Sequence, residues 1–180
     1  MKIDYPYQGT QFALSGKVAV VTGGCGLLGK EFAKALSSAG ASVVIGDINA
    51  DKLSSVKDEI IRQFESSEVL SIPLDVTNNQ SISEFIDQIE KERGRIDILV
   101  NSAAIDPKFE KGSELSEFTS FEKFPLTAWN ESLEVNLTGA FQMTQAVCGV
   151  MEKAGKGSII NVGSNYGLVG PDQRLYKRKG

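Results

Sequence analysis

The stretch Lys17–Gly29, KVAVVTGGCGLLG, limits what this chain can become more than any other part of it. Lys17–Thr22 is a short Val-rich run, and Gly23, Gly24, Gly26 and Gly29 follow at once. A strand that ends in a glycine turn and opens a helix is the phosphate cradle of a dinucleotide-binding βαβ unit. Gly23 suits the tight turn, Gly26 keeps side chains away from a pyrophosphate, and Gly29 lets the helix lie close to the sheet. The helix start, around Leu28, then offers unpaired N–H groups to an anion. The G-x-x-G-x-x-G spacing also suits a plain turn, so the strands that follow carry part of the argument.

Residues 1–15 read as an irregular lead-in, with Pro6 and Gly9 breaking any period. Strand one spans roughly Lys17–Thr22. The first helix spans about Leu27–Ala39, its buried stripe set by Leu28, Phe32, Ala35, Leu36 and Ala39, with Gly40 as C-cap. Strand two, Ser42–Gly46, is continuously apolar through Val43, Val44 and Ile45, as a strand covered on both faces should be. Asp47 closes it, 24 positions after Gly23 and near the spacing at which a carboxylate meets the adenosine ribose. It would accept hydrogen bonds from both ribose hydroxyls and repel a 2′-phosphate. Ile48 and Asn49, next along, bring no cation for that phosphate, so NAD is preferred over NADP. The competing reading of Asp47 is a helix N-cap or turn residue.

Helix two is expected at about Ala50–Glu65, strand three at Val69–Leu74, and helix three at about Gln80–Arg93. Ile82, Phe85, Ile86 and Ile89 give helix three the clearest stripe in the chain, and Gly94 ends it. Asp75 and Val76 fall at the carboxyl edge of the sheet, where adenine would rest; Asp75 serves equally well as a cap for the next turn. Strand four, Ile96–Asn101, leads into Ser102, Ala103 and Ala104, small enough to admit a ribose against the backbone. The 22 residues Ile105–Leu126 have no consistent period and are long for a connection. Their Phe109, Phe118, Phe121 and Phe124 either line a substrate cleft or pin the loop down, and pinning is the simpler reading.

A long helical pattern covers Ala128–Lys153, with Thr127 as N-cap. Trp129, Leu133, Leu137, Ala140, Phe141, Thr144, Val147, Cys148 and Met151 recur on one side, and Asn136 lies beside them. Strand five is Ser158–Val162, and Ser164 stands just past it. Each strand thus ends at a polar or small residue: Gly23, Asp47, Asp75, Asn101 and Ser164. A ligand lying across the carboxyl edges of a parallel sheet would meet all five.

Composition narrows the partners. A chain of 180 residues suits one domain, and 41% hydrophobic with 23% charged residues is ordinary for a soluble fold. With a net charge of −4 and no basic tract, neither nucleic acid nor an anionic membrane is an expected partner. No apolar run approaches the ~20 residues of a membrane span. The N-terminus lacks an apolar targeting core, and the expected location is cytoplasmic. Two cysteines and no histidine leave little for a structural metal, a disulfide framework or a His-based triad. A thiol near a helix start is a candidate for a lowered pKa, but Cys25 reads more simply as small-residue filler.

Taken together, the residues from about Leu14 to Leu168 resemble the short-chain dehydrogenase/reductase family. TGGCGLLG at 22–29 resembles its cofactor turn, with Gly26 and Leu27 where the common version has a variable residue and then Gly. Asp47 matches its NAD-selecting acid, Asp75 the Asp against adenine, and Asn101-Ser102-Ala103-Ala104 its N-N-A-G element with two changes. Asn136, in EVNLTGAF, matches the active-site Asn, and Ser164, in INVGS, the catalytic Ser. The resemblance implies an α/β, Rossmann-like doubly wound parallel sheet of strand order 3-2-1-4-5 over residues 16–170, C-terminally incomplete, with 171–180 an irregular tail.

It also implies hydride transfer between a nicotinamide cofactor and an alcohol or carbonyl substrate, and a homo-dimer or tetramer for the full-length form. The family's base is the Tyr of a Y-x-x-x-K motif. Here the nearest candidate, Tyr176, has Gly180 where Lys should stand, and Lys177 and Lys179 lack the i+4 placement. The segment after Ser164 resembles relatives with an insertion before the base, often linked with sugar or surface-polysaccharide metabolism, and the resemblance points to an alcohol or carbonyl substrate of sugar-like kind. The reading is therefore a cofactor platform that stops before its Tyr–Lys pair. The alternative is a non-catalytic dinucleotide-binding or regulatory module.

Overall fold

The computed structural model describes residues 12–64, 67–106 and 121–170. The chain runs β1 (Val18–Thr22), α1 (Leu27–Ser38), β2 (Ser42–Asp47), α2 (Ala50–Gln63), β3 (Val69–Pro73), α3 (Asn79–Arg93) and β4 (Ile98–Asn101). It continues through α4 (Leu126–Leu133), a π-helical segment (Glu134–Gly139), α5 (Ala140–Lys153) and β5 (Ser158–Asn161). All neighbouring strands pair in parallel, in the order β3-β2-β1-β4-β5. The chain moves outward from β1 to β3, then resumes on the other side of β1 with β4. The reversal puts a crevice at the carboxyl ends of β1 and β4, where ligands of open α/β sheets bind.

Strand alternation divides the core in two. Val18 and Val20 of β1, with Val44, Ile72 and Leu99, face one layer, where Phe85, Ile86 and Ile89 of α3 meet Met143 and Val147 of α5. Ala19 and Val21, with Val43 and Ile45, face the other layer, where α1 and α2 supply Ala33, Leu53, Val56 and Ile60. Every residue of β1 is buried, which is why it reads as a continuous apolar run rather than an alternating one. The expected α3 stripe is the buried one, and Gly94 closes that helix in the left-handed region at φ 69°.

Three sequence expectations differ from the structure. First, the buried face of α1 is Gly29, Ala33, Lys34 and Ser37, with Phe32 and Leu36 packed at its flank, while Leu28 and Ala35 are exposed. At Gly29 the helix lies against the Gly23 carbonyl with no room for a Cβ, and that approach sets the rotation that leaves Leu28 exposed. Second, helix α4 begins two residues earlier than expected, with Pro125 rather than Thr127 at its N-cap. Proline presets the extended φ of that position and has no amide to leave unpaired. Third, the single helix expected over 128–153 is interrupted by the π-helical segment. Of its expected stripe, Val147 and Met151 are buried, whereas Trp129, Leu133, Leu137, Phe141 and Cys148 are exposed.

In the long connection, Phe121 is 93% exposed and so does not pin the loop, and Phe124 is half-buried. Phe109 and Phe118 lie outside the described residues, as does Tyr176. Among the described residues β5 pairs on one side only, and Ile160 and Val162 are exposed.

Candidate functional site

The glycine turn is built by contacts that exclude Cβ atoms. Gly23 sits at φ 66°, and a Cβ there would stand 2.8 Å from Ala103 Cα and 2.9 Å from Ser102 O. At Gly24 it would meet Ile45 Cβ at 2.7 Å, and at Gly29 it would overlap the Gly23 carbonyl. Gly26 differs: its nearest neighbour is Gly23 O at 3.1 Å, so its far side is open. Gly26 is also the N-cap of α1, which has neither a capping side chain nor an acidic residue in its first turn. The amides at Leu27, Leu28 and Gly29 therefore stand at a helix start that favours an anion.

Asp47 is fixed beside this turn. Its Oδ2 accepts the Cys25 N–H at 2.9 Å, and its Oδ1 accepts the Asn49 N–H at 2.9 Å. The carboxylate thus does serve a turn, while Asn49 takes the N-cap of α2 by accepting from the Lys52 amide. Each Asp47 oxygen keeps lone-pair capacity for a further donor. Ile48 beside it is 75% exposed. Burial, and then the Asp47 charge, push the Cys25 thiol up to about 11, so it stays protonated at neutral pH and the low-titrating option for it falls away.

On the adenine side, Asp75 Oδ1 accepts from the amide and hydroxyl of Thr77 at 2.9 and 2.7 Å, and its own amide donates to Ser81 Oγ at 3.0 Å. That is the turn role foreseen as one of its two readings. Val76 is buried and packs against Gly139, where a Cβ would come within 2.7 Å of Val76 Cγ2. The ends of β1 and β4 are locked by Thr22, whose Oγ1 accepts the amides of Ser102 and Ala103, both at 3.1 Å.

Asn101, expected as a cofactor contact, turns its side chain inward. Its side-chain amide donates inward, to Asn161 Oδ1 at 2.8 Å, Thr144 Oγ1 at 3.0 Å and Ala140 O at 3.4 Å. It ties β4 to β5 and α5, and any ligand contact at this position falls to the backbone. Asn136 lies in the π-helical segment and pairs twice with the backbone of Ile105, accepting from N–H at 2.8 Å and donating to O at 3.0 Å. The extra residue of a π turn re-aims a side chain, and such turns are frequent at functional sites. Ser164 stands exposed beyond β5, its Oγ accepting the Tyr166 N–H at 3.1 Å.

Thr22 and Asn161 were not singled out by sequence reasoning, and their one signal is a polar residue where an apolar strand ends; Thr144 was placed on the helical stripe of 128–153 with no polar role. Among the described residues no group of His, Cys, Asp or Glu is placed to hold a metal, and no helix is long and apolar enough to cross a membrane.

A substitution at the turn has a clear expected outcome. Gly23→Val places a branched side chain at positive φ and drives it into the Ala103 backbone. Dinucleotide affinity should fall at least tenfold, about 1.4 kcal/mol, as read by fluorescence titration with NADH. An unchanged dissociation constant in a variant that still folds would show that the turn is not the phosphate site.

The chain is similar to dehydrogenases of this architecture. It is 34% identical over 164 residues to an NAD-dependent glycerol dehydrogenase of Listeria innocua, covering 91% of this chain and 59% of that protein. It is 33% identical over 164 residues to a D-threitol dehydrogenase of Mycolicibacterium smegmatis, covering 91% and 58%. Among solved structures, a short-chain type dehydrogenase/reductase from Mycobacterium marinum superposes with a TM-score of 0.79 at 32% identity, over 89% of this chain and 60% of that one. An NAD+-bound xylitol dehydrogenase does so with a TM-score of 0.78 at 28% identity, over 87% and 56%. The chain spans less than two thirds of the length of these relatives. The short chain dehydrogenase model matches residues 17–176, from the lysine before β1 to Tyr176, and to that family the chain belongs.

Proposed function

We propose that this chain is the cofactor-binding portion of an NAD-preferring oxidoreductase that interconverts a small polyhydroxylated alcohol and its carbonyl form. The observation that carries the reading is the Asp47 carboxylate, held against the glycine turn by the Cys25 and Asn49 amides. The open side of Gly26 and the amides of Leu28 and Gly29 would take the pyrophosphate. Asp47 would bind the adenosine ribose, with Ile48 beside it. Asp75 and Val76 would border the adenine, and the backbone at Asn101 and Ala103 would border the second ribose. The bound nicotinamide would supply or accept the hydride.

In the substrate half, Ser164 would donate a hydrogen bond to the substrate oxygen. Asn136 would hold the start of the β4 connection through Ile105. The proton partner needs a phenol whose pKa an adjacent ammonium lowers. No Tyr of these 180 residues has a Lys four positions on, so none of them supplies that pair. Support for a polyol or sugar-like substrate comes from the relatives named for glycerol, D-threitol and 5-keto-D-gluconate.

The reading is tested by titrating the chain with NADH and NADPH. NADH should bind at least tenfold tighter, about 1.4 kcal/mol, because a 2′-phosphate would face the Asp47 charge. Equal or tighter NADPH binding would overturn the NAD assignment.

A further inference from the structure

The two residues after Asp47 bring no cation to a ribose phosphate, but the fifth, Lys52, does. Lys52 is the third residue of α2, and its amide donates to Oδ1 of the cap, Asn49, at 3.2 Å. A side chain at that helical position leans toward the N-terminus and reaches back to the cap's own amide, as the glutamate of a capping box does. Here that amide is already taken, because Asn49 N–H donates to Asp47 Oδ1 at 2.9 Å. The Lys52 side chain is therefore directed at the carboxylate that closes β2. Its charge is felt beyond Asp47, at the Cys25 thiol: burial and then Asp47 push that thiol up, and Lys52 opposes them.

Lys52 is exposed and enters no ion pair among the described residues. Lys30 and Lys34, the cations of the adjoining α1, are both held by Glu59. An uncommitted ammonium beside a fixed carboxylate treats the two adenosine riboses differently. A 2′-hydroxyl donates to Asp47 and asks nothing of Lys52. A 2′-phosphate is repelled by Asp47 and attracted by Lys52. Asp51 precedes Lys52 by one position and so lies about 100° round the helix from it.

We propose that Lys52 is a second discriminating residue at the adenosine ribose: it pairs with the 2′-phosphate of NADP(H) and limits the NAD preference that Asp47 sets. The inference rests on the reading of the Gly23–Asp47 crevice as the dinucleotide site.

The test is titration of the 180-residue chain with NADH and with NADPH, read as the ratio of the two dissociation constants. Lys52→Glu should widen the preference for NADH about tenfold, and Lys52→Ala about threefold. Lys91→Glu, the same charge change in the last turn of α3, should leave the ratio within about twofold. If the parent binds NADPH too weakly to measure, Asp47→Ser should bring that binding into range, and adding Lys52→Ala should weaken it about threefold again. The proposal is overturned if neither Lys52 variant moves the ratio, if Lys91→Glu moves it as far, or if the Asp47→Ser chain leaves NADPH unbound or binds it equally with and without Lys52. A parent that binds neither dinucleotide overturns the crevice reading and this inference together. A parent that binds NADH with a ratio indifferent to Lys52 overturns this inference alone.

Discussion

Replacing Asp97 by alanine is expected to destabilise the fold by about 2–4 kcal/mol at neutral pH. Asp97 lies at the foot of β4 and is 6% exposed. Its Oδ2 accepts the Val18 N–H at 2.9 Å, which opens the fully buried central strand. Its two oxygens also take a forked pair of bonds from the Arg95 guanidinium, and Lys17 Nζ stands 3.5 Å away. Alanine leaves the Val18 amide buried without an acceptor, whereas Arg95 and Lys17 are exposed enough to recover water. The cost is therefore dominated by the strand amide and the lost charge-assisted bonds rather than by stranded cations.

Burial alone would push the Asp97 carboxyl up; Arg95, the Val18 amide and Lys17 together outweigh it and hold the carboxyl below its ordinary value of 3.8. A carboxyl lowered in the folded state adds stability above its unfolded value, and that stability drains away as pH falls through the folded one. Urea denaturation of parent and variant should thus give a constant gap above about pH 5 that narrows below about pH 4. A gap under about 0.5 kcal/mol at neutral pH would show that Asp97 is not what secures β1.

Features that depend on one strand or one turn were legible in the sequence. The apolar runs of β1 and β2 needed only that both faces be covered, and the 82, 85, 86, 89 stripe of α3 needed only the helical period. Asp47 could be located from its distance along the chain to Gly23. What escaped was decided between elements. The rotation of α1 follows from how closely Gly29 approaches the Gly23 carbonyl, so its buried face is Gly29, Ala33, Lys34 and Ser37. Apolar periodicity passes over the glycine, the lysine and the serine.

Asn101 has the residue type of a ligand contact, yet its amide is taken up by Asn161 and Thr144, partners 60 and 43 positions away. The π-helical segment has no sequence period of its own. It is marked only by Asn136, a poor helix-interior residue, and by Gly139 where the helix crosses Val76. The exposed row Trp129, Leu133, Leu137 and Phe141 has the spacing of a buried stripe. Periodicity fixes which residues share a face, not whether the described residues cover it.

Assayed as these 180 residues, the chain is expected to bind NADH and to show no measurable turnover of alcohols, ketones or sugar derivatives. Ser164 is present but exposed, with its Oγ already accepting the Tyr166 amide. Of the four tyrosines, none is followed four residues later by lysine; the position after Tyr176 that would need it is Gly180. A phenol without a neighbouring ammonium titrates near 10 and is a weak base at neutral pH. Absence of a general base typically costs ~10²–10⁴-fold in rate, and poor substrate positioning adds to the deficit. Gly180→Lys alone should not rescue turnover, because Gly170 and Pro171 precede Tyr176 and no helical apolar pattern surrounds it, so phenol and ammonium would not share a helix face. Extending the chain with downstream sequence that contains a Y-x-x-x-K motif should rescue it. The measurement is NADH absorbance at steady state across a panel of polyols and their keto forms, with NADH binding checked on the same sample. Turnover by the 180-residue chain that disappears on Tyr176→Phe would overturn the reading and make Tyr176 the base. Binding without turnover, followed by turnover in the extended chain, would assign cofactor recognition to the Gly23–Asp47 side and proton transfer to the added Y-x-x-x-K segment.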